Sequence, residues 1–513
     1  MVMQKERFRF TWKRLLVVYM AVYFVVNLLF LNKFPFMHSD ESWLSGLTRS
    51  MIAGGPAATE SFFDLFPRNP HAIKTIFHGI QALFSFVFGY NLFAFRLVSL
   101  VFGILLLSLT YKLVETITKN TKTAFFSTLA ASVCVQFIYA SHFARQEIII
   151  AAALLGIIYY LVKEREEWKA RNDLFAALFT GLAIGIHPNS FLIALAAGSV
   201  YLFLIFFEKK MKARNLLIYI VSTGVIATVF VGLSFLMDPN FISNYLKYGS
   251  DLGVTSTVSV RYEGLFSYYS KLFRQSSGTY YTPNIRGEFI VLSGSAIGML
   301  LAGIKNRKYW LLLFPLIAVN IGYIVIGRYS QPGILFVFIL GIPALFHLVS
   351  SVEKKQRTII SAVICIGLLV NSIGMILPWL NDDYKQYIQE IKEHVPAEGP
   401  ALANLNTAYA FDEGAFLDYR NLAYIYEEGL TFAEYVQSRK IEYIIYPEEM
   451  DLIYERRPVW NVVYGNVYPY YDGMIEFLET QCSLIHTFES PYAMRIVRFV
   501  GDKDWEIRIY KVD

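Results

Sequence analysis

Residues 72–88 read AIKTIFHGIQALFSFVF, apolar enough for a short membrane crossing yet carrying Lys74, His78 and Gln81. Whether this stretch crosses a bilayer or lies on it decides the topology of everything that follows. Eleven other apolar runs surround it, near 15–31, 92–114, 123–142, 148–162, 174–186, 191–207, 215–236, 288–304, 309–326, 333–349 and 358–380. As helices they approach the length that spans a hydrocarbon core of roughly 30 Å. With 72–88 on the surface, loops 115–122, 163–173, 208–214, 304–308 and 353–357 fall on the side of the N-terminus. Those six segments hold 21 Lys/Arg in 50 residues, against 10 in the 106 residues of loops 32–71, 143–147, 187–190, 237–287 and 327–332. If 72–88 crosses, every later loop flips and the bias reverses. Basic loops stay on the cytoplasmic side, so 72–88 is read as an interfacial or re-entrant helix. The basic N-terminus, MVMQKERFRFTWKR, leads into an apolar run with no small-residue cleavage site after it. It is read as a retained first span with a cytoplasmic N-terminus.

Composition agrees with a membrane chain. Of 513 residues, 55% are hydrophobic and only 17% charged, where soluble domains carry about 25% charged residues. Cys134, Cys365 and Cys482 make neither a disulfide framework nor a zinc spacing. The net charge of +5 conceals two regions: residues 1–380 carry 34 Lys/Arg and 17 Asp/Glu, and residues 381–513 carry 12 and 24. The expected architecture is a polytopic α-helical membrane domain, 1–380, with about eleven spans and interfacial helices in the first external loop. An acidic extracytoplasmic α/β domain, 381–513, follows. Within it helical patterns at 384–394 and 432–439 alternate with short apolar strands at 401–405, 442–446, 495–500 and 505–511. This region also holds 16 of the 35 tyrosines, read either as a β-rich core with amphipathic rings at its edges or as a surface for sugar or peptide ligands.

The topology has a consequence that the charge rule did not impose. His38, Asp40, Glu41, Arg68, His71, Lys74, Arg145, Glu147, His187, Arg261, Tyr262, Arg328 and Tyr329 all collect at one external boundary. Adjacent carboxylates at a membrane surface repel each other and cost desolvation. In His38-Ser39-Asp40-Glu41 they serve either as the start of a helix over 41–53, with Ser39 or Asp40 as cap, or in chemistry. Phe143-Ala144-Arg145-Gln146-Glu147 is either a boundary ion pair or a phosphate- or metal-positioning pair. His187, in Gly185-Ile186-His187-Pro188-Asn189, is a turn residue or a ligand. Arg328 in Gly327-Arg328-Tyr329-Ser330-Gln331-Pro332 has the planar fork suited to phosphate.

In order and spacing, residues 10–350 resemble the GT-C glycosyltransferases, nearest to the protein O-mannosyltransferases and the bacterial aminoarabinose transferases. The motifs are Asp40-Glu41 in a long first loop, Pro70-His-Ala-Ile-Lys74 with an apolar helix ending Phe88-Gly89, and Asn91-Leu-Phe-Ala-Phe-Arg96-Leu-Val-Ser99. Ala144-Arg145-Gln146-Glu147 and Arg328-Tyr329 before Pro332 complete the series. The resemblance implies a helical bundle with an external site and a donor sugar on a polyprenyl phosphate. It implies Asp40 as general base, with Glu41 and Glu147 as further catalytic carboxylates. Arg145, Arg328, Tyr329, Lys74 and Arg68 become donor-phosphate ligands, and His187 and His71 accessory candidates. The chain departs from the pattern at Arg68-Asn69-Pro70-His71, where relatives carry a Lys-Pro-like element, and the external domain lacks β-trefoil character.

The chemistry supports the same residue types. A polyprenyl phosphate leaves readily, so the site needs cations for the phosphate and one carboxylate for the acceptor proton, and no nucleotide-binding loop. A divalent cation, Mg²⁺ or Mn²⁺, is admitted but not required. The expected partners are a polyprenyl-phosphate sugar, an acceptor glycan, lipid or protein, and membrane lipid, with no nucleic acid. The expected location is a prokaryotic plasma membrane. Competing readings are a polymerase or ligase of lipid-linked oligosaccharides, and a transporter or flippase. Transporters place ionisable groups near the midplane and carry internal repeats; here the charges sit at span ends and no repeat is seen.

Overall fold

The computed structural model describes residues 11–64, 70–251, 261–276, 280–327, 329–495 and 504–513, with the side chains at 248–251, 261–263 and 462–463 outside that description. Thr11 opens the first helix, α1 (Trp12–Leu29), its side chain accepting the Arg14 amide at 3.3 Å. The long loop after α1 carries α2 (Ser39–Gly54) and α3 (Thr75–Phe88). The bundle continues with α4 (Leu92–Thr118), α5 (Thr121–Ser132), α6 (Val135–Ser141), α7 (Glu147–Glu164), α8 (Ala170–Leu182), α9 (Phe191–Phe206) and α10 (Ala213–Met237). The second long loop carries α11 (Phe241–Asp251) and α12 (Arg261–Phe273), and the bundle closes with α13 (Arg286–Lys305), α14 (Trp310–Ile326), α15 (Leu335–Val349) and α16 (Lys354–Ile376).

Each of the eleven expected spans coincides with helix. Among the described residues, eight helices are long and apolar enough to cross a membrane, and the pair α5 and α6, bent by 69°, makes a ninth if counted as one span. The remaining two runs form α7, which has charged residues at both ends, and α8, 13 residues extended by the 3₁₀ turn Ala183–Gly185. The central helix is α15, buried over most of its length, while α1, α10 and α16 turn apolar side chains outward. Apolar side chains facing outward on such helices are what a lipid solvent requires.

The stretch at 72–88 contains one of the shorter apolar helices, α3. With 14 residues, α3 spans about 21 Å, short of a crossing. Its polar residues turn inward: Thr48 of α2 bonds His78 Nδ1 at 2.8 Å and donates to Gln81 at 2.7 Å. Its apolar end, Leu83, Phe86, Val87 and Phe88, is exposed, Phe86 by 90%. One face is fixed to protein and the other carries bare apolar side chains.

After α16 the chain forms an α/β unit. It comprises α17 (Tyr384–His394), β1 (Ala401–Ala403), β2 (Phe416–Asp418), α18 (Leu422–Glu428), α19 (Phe432–Ser438), β3 (Tyr443–Pro447), α20 (Glu449–Arg456), α21 (Tyr471–Thr480), β4 (Cys482–Ser490) and β5 (Trp505–Val512). The sheet order is β2-β1-β3-β5-β4, with β1 parallel to β2 and β3, and β5 antiparallel to β3 and β4. The expected helices are α17 and α19, and three expected strands are β1, β3 and β5. The expected strand 495–500 lies outside the described residues beyond Arg495. Sequence reasoning missed β2, only three residues long, and β4, whose alternation is interrupted by an irregular register between Leu484 and His486.

Eight of the sixteen tyrosines are buried, Tyr419, Tyr435, Tyr446, Tyr464 and Tyr492 among them, favouring the core reading for those over an exposed ligand platform. One buried apolar cluster runs from the bundle into α17 and β5, and a second fills the other face of the sheet. The first external loop is clasped between bundle and sheet. Phe36 stacks on Tyr492 at 4.4 Å, Ser45 donates to the Tyr409 hydroxyl at 2.8 Å, and the Asp418 amide donates to the Phe62 carbonyl at 3.0 Å. Gly46 permits this closeness, since a Cβ there would meet the Phe62 ring at 2.5 Å.

Candidate active site

The N-terminus of α2 is built by a reciprocal cap, though not on the residue expected from sequence. His38, not Ser39 or Asp40, is the N-cap. Its Nδ1 accepts the Asp40 amide at 3.1 Å, and Glu41 in the third position accepts the His38 amide at 3.1 Å. The helix therefore begins at Ser39, and two otherwise orphaned amides are satisfied from both directions.

Glu41 does more structural work than a cap. Both of its oxygens accept from Arg96, at 2.8 Å each, and one also accepts the Ala144 amide at 2.9 Å. Arg96 further donates to the Leu31 carbonyl at 2.9 Å, and neither side chain of the pair is exposed. With four donors on two oxygens and no access, Glu41 is a clamp joining α2, α4 and the loop before α7. The catalytic role expected for it gives way to this one.

Asp40, one residue earlier, faces the opposite way. It accepts from Arg145 Nη1 and from the Tyr280 hydroxyl, and its side chain retains 26% exposure. Arg145 also donates to the Tyr280 oxygen, and to Glu147 at 2.9 and 3.2 Å. The Tyr280 ring stacks on His38 at 4.2 Å and meets Phe143 edge-on at 6.2 Å. Asp40, Arg145, Glu147, Tyr280 and His38 thus form one cluster, drawn from the start of α2 and its cap, from the loop before α7 and its first residue, and from the loop before α13.

The electrostatics of this cluster are set by its cations. Burial alone would raise the Asp40 carboxyl, but Arg145, then His38, the Tyr280 hydrogen bond and Arg420, outweigh it and hold the group down to about 2. Burial pushes the His38 imidazole down to about 4, opposed by Asp40 and assisted by Arg145, Arg495 and Arg420. Burial raises the Tyr280 phenol well above its ordinary value. Asp40 is therefore ionised, and His38 and Tyr280 neutral, near neutral pH. Two of the cations acting here, Arg420 and Arg495, come from the α/β unit. Arg420 lies over the Trp43 ring of α2 at 5.3 Å, and Arg495 is anchored on Asp418 at 3.0 and 3.2 Å.

The other expected residues divide into three groups. Arg68 and Arg328 lie outside the described residues. His187 caps the 3₁₀ turn Pro188–Ser190, its Nδ1 accepting the Asn189 amide at 3.0 Å, and His71 is buried against Phe241 and Tyr245. Both take part in capping or packing here. Lys74 begins α3 in the left-handed conformation, φ 85°, and Tyr329 packs on Tyr268 at 5.6 Å. The side chains at Arg261 and Tyr262 are not described. The guanidinium of Arg145 lies between the Asp40 and Glu147 carboxylates and donates to both.

Tyr280 is the main residue missed from sequence. Its signal was modest, a Tyr-Tyr pair before Pro283 in a loop leading into a span. Arg96 was noted only as part of a motif. Arg420 and Arg495 carried no local signal, since their role depends on docking of the α/β unit.

Comparison with known proteins gives the arrangement a frame. Residues 76–235 match a family model described as dolichyl-phosphate-mannose-protein mannosyltransferase. No curated protein sequence matches the chain. The crystal structure of ArnT from Cupriavidus metallidurans bound to undecaprenyl phosphate superposes with a TM-score of 0.60 at 13% identity, covering 97% of each chain. The chain has the GT-C fold. The apo oligosaccharyltransferase of Archaeoglobus fulgidus superposes with a TM-score of 0.57 at 12% identity, over 89% of this chain and 72% of that one. The structure of AglB from the same organism, in complex with an inhibitory peptide and a dolichol-phosphate, gives 0.54 at 11% identity over 86% and 71%. The GT-C likeness to ArnT extends through the α/β unit, whereas the family match runs only from α3 to α10. Asp40, Glu41 and Tyr280 lie outside the matched segment, and Arg96, Arg145 and Glu147 inside it.

Proposed function

We propose that this protein is a membrane glycosyltransferase that moves a sugar from a polyprenyl-phosphate donor to an acceptor hydroxyl on the external face, with inversion. The observation that carries the reading is the Asp40–Arg145–Tyr280 cluster, where an ionised carboxylate, a guanidinium and a donating hydroxyl converge at one end of the bundle. The N-terminus and basic loops lie in the cytoplasm, the α/β unit outside, and the membrane is a prokaryotic plasma membrane. The fold match to proteins crystallised with undecaprenyl phosphate and dolichol-phosphate supports the choice of donor class.

The Tyr280 hydroxyl already donates to Asp40, which marks where an acceptor hydroxyl would stand. In the reaction that acceptor takes the place of Tyr280, and its oxygen attacks the anomeric carbon. The bond from that carbon to the phosphate oxygen breaks, and the acceptor proton passes to Asp40. Holding Asp40 near 2 makes it a weak base in the resting state, suited to receiving the proton late, after the leaving group has begun to depart. Arg145 stabilises the charge on the departing phosphate, and Glu147 keeps the guanidinium oriented. Glu147 is thus a positioning residue for Arg145.

The test is transfer by purified protein from a panel of polyprenyl-phosphate sugars, hexosyl and pentosyl, followed as release of free polyprenyl phosphate. One donor is expected to turn over in the wild type and none in Asp40→Asn. Turnover at the wild-type rate by that variant would remove Asp40 from the chemistry. No turnover with any polyprenyl-phosphate sugar, but turnover with lipid-linked oligosaccharide diphosphates, would instead support a polymerase or ligase.

A further inference from the structure

The sheet of the α/β unit contains a local choice that packing alone does not explain. Along the antiparallel pair β4 and β5, Leu484 stands opposite Tyr510 and His486 opposite Ile509, so Ile485 is an extra residue in the ladder. An uninterrupted ladder would set Ile485 opposite Ile509 and His486 opposite Arg508. Ile509 is fully buried, and its neighbour on the same face, Ile507, pairs with Phe488, which packs on Tyr387 of α17. The extra residue therefore turns His486 toward α17 and leaves Ile485 40% exposed. Burying an isoleucine is favourable, so placing histidine there instead calls for a partner. Bulges of this kind re-aim single side chains and are built features.

The partners stand on α17. Glu390 and His394, four residues apart, share one helix face. Together with His486 they bring one ligand atom each to within 4.8 Å of one another. The His394 Nδ1 donates to the Glu390 carbonyl at 2.9 Å, leaving its Nε2 with a lone pair for a metal; such a hydrogen bond on the far nitrogen is how ligating histidines are oriented. His486 Nε2 is shielded, makes no hydrogen bond, and lies 3.5 Å from the Glu390 carboxylate. The two rings are stacked at 3.6 Å and 7°, so ligation of one ion by both requires one ring to turn out of the stack, over a separation of ligand atoms that is already within 4.8 Å.

We propose that Glu390, His394 and His486 form a zinc site, with a water molecule as fourth ligand. Two imidazole nitrogens and one carboxylate oxygen suit tetrahedral Zn²⁺, whereas Mg²⁺ and Ca²⁺ take shells of oxygen. The site is separate from the Asp40 cluster and does not depend on the glycosyltransferase reading. Its effect is mechanical. The metal ties the edge strand of the sheet to α17, the first helix beyond the membrane bundle. From α17 an aromatic path continues through Tyr387 and Tyr492, 5.7 Å apart, to Phe36, two residues before the cap of α2. The ion stiffens the seat of the catalytic loop without touching substrate.

The experiment uses full-length protein in detergent, purified on a tag without histidine, stripped with a chelator and titrated with Zn²⁺. One equivalent is expected to bind and to raise the thermal unfolding temperature, and Co²⁺ in its place should show the visible absorption of a four-coordinate site. His394→Gln and His486→Gln should each weaken Zn²⁺ binding at least tenfold and lose the thermal shift. Glu390→Gln, which keeps the helix intact, serves as a further variant should a histidine variant fail to fold, and the same loss is expected. The proposal is overturned if the wild type takes up no Zn²⁺, or if the variants bind it with unchanged stoichiometry and affinity.

Discussion

Asp40 and Glu41 are neighbours in the chain, and each carries an arginine, yet they lie in two different regions of the protein. Beneath α2, Glu41 and Arg96 are sealed from solvent and every carboxylate lone pair has a donor. Above it, Asp40 and Arg145 remain partly open and share Tyr280. A helix N-terminus turns successive side chains about 100° apart, so two adjacent acids can serve a clamp on one face and a reaction on another. The clamp also sets the upper pair. Glu41 grips the Ala144 amide, so the residue before Glu41 and the residue after Ala144 are held together, and Asp40 meets Arg145.

The comparison can be broken in stages. The largest effect is expected from Asp40→Asn, which should lower transfer by roughly 10²–10⁴-fold while the melting temperature stays near that of the wild type; equal losses of both would place Asp40 in the clamp's category. Next comes Arg96→Met, which strands a buried carboxylate and should cost about 3–5 kcal/mol, read as loss of folded protein in detergent. Pairing it with Glu41→Leu should recover much of that stability but not the transfer rate, because the Ala144 amide is no longer held. A double variant that regains both would show that the clamp does not position the site.

A smaller effect tests the pH behaviour of the cap. The folded-state value of His38 is depressed to about 4, against about 6.5 for a free imidazole. As pH falls from 6.5 towards 4, the unfolded chain takes up a proton that the folded one refuses, so stability declines by up to about 3 kcal/mol. His38→Asn, which preserves a capping side chain, should flatten that decline in thermal melts across this window; an unchanged slope would assign it to other groups. The smallest effect belongs to Tyr280→Phe. Losing one hydrogen bond to Asp40, worth about 1–3 kcal/mol to a charged group, should change KM for the acceptor more than kcat. A change confined to kcat would give Tyr280 a part in the chemical step instead of in acceptor exchange.

The distinction between the two acids was not legible in the sequence, and the reason is geometric. Charge counting across loops proposes an external boundary and a surface place for 72–88, and the eleven apolar runs it rests on are all helical, because such rules depend on composition averaged over many residues. The convergence of Asp40, Arg145 and Glu147 followed from that topology. The sealed role of Glu41 depended on Arg96, fifty-five positions away on α4, and no local pattern reports such a pairing. His187 and His71 had the right chemistry at the right boundary, yet local backbone and neighbouring aromatics had already engaged them. The cations Arg420 and Arg495 belong to a unit whose sequence reads as separate, and their influence on His38 exists only because Phe36 and Tyr492 stack across the join.

The surface helix α3 has a last consequence. Its outer end carries bare Leu83 and Phe86 while its inner face is bonded to Thr48 of α2. On the proposed topology it is a float whose waterline is the outer leaflet's headgroups, and α2 rides on it. Bilayers differ in thickness by several ångströms, and spanning helices answer by tilting, each at modest cost. A float referenced to one leaflet does not share that adjustment. Asp40 would therefore keep its height above the lipid headgroups whatever membrane the bundle is set in, and a lipid-borne phosphate would arrive at the same level each time.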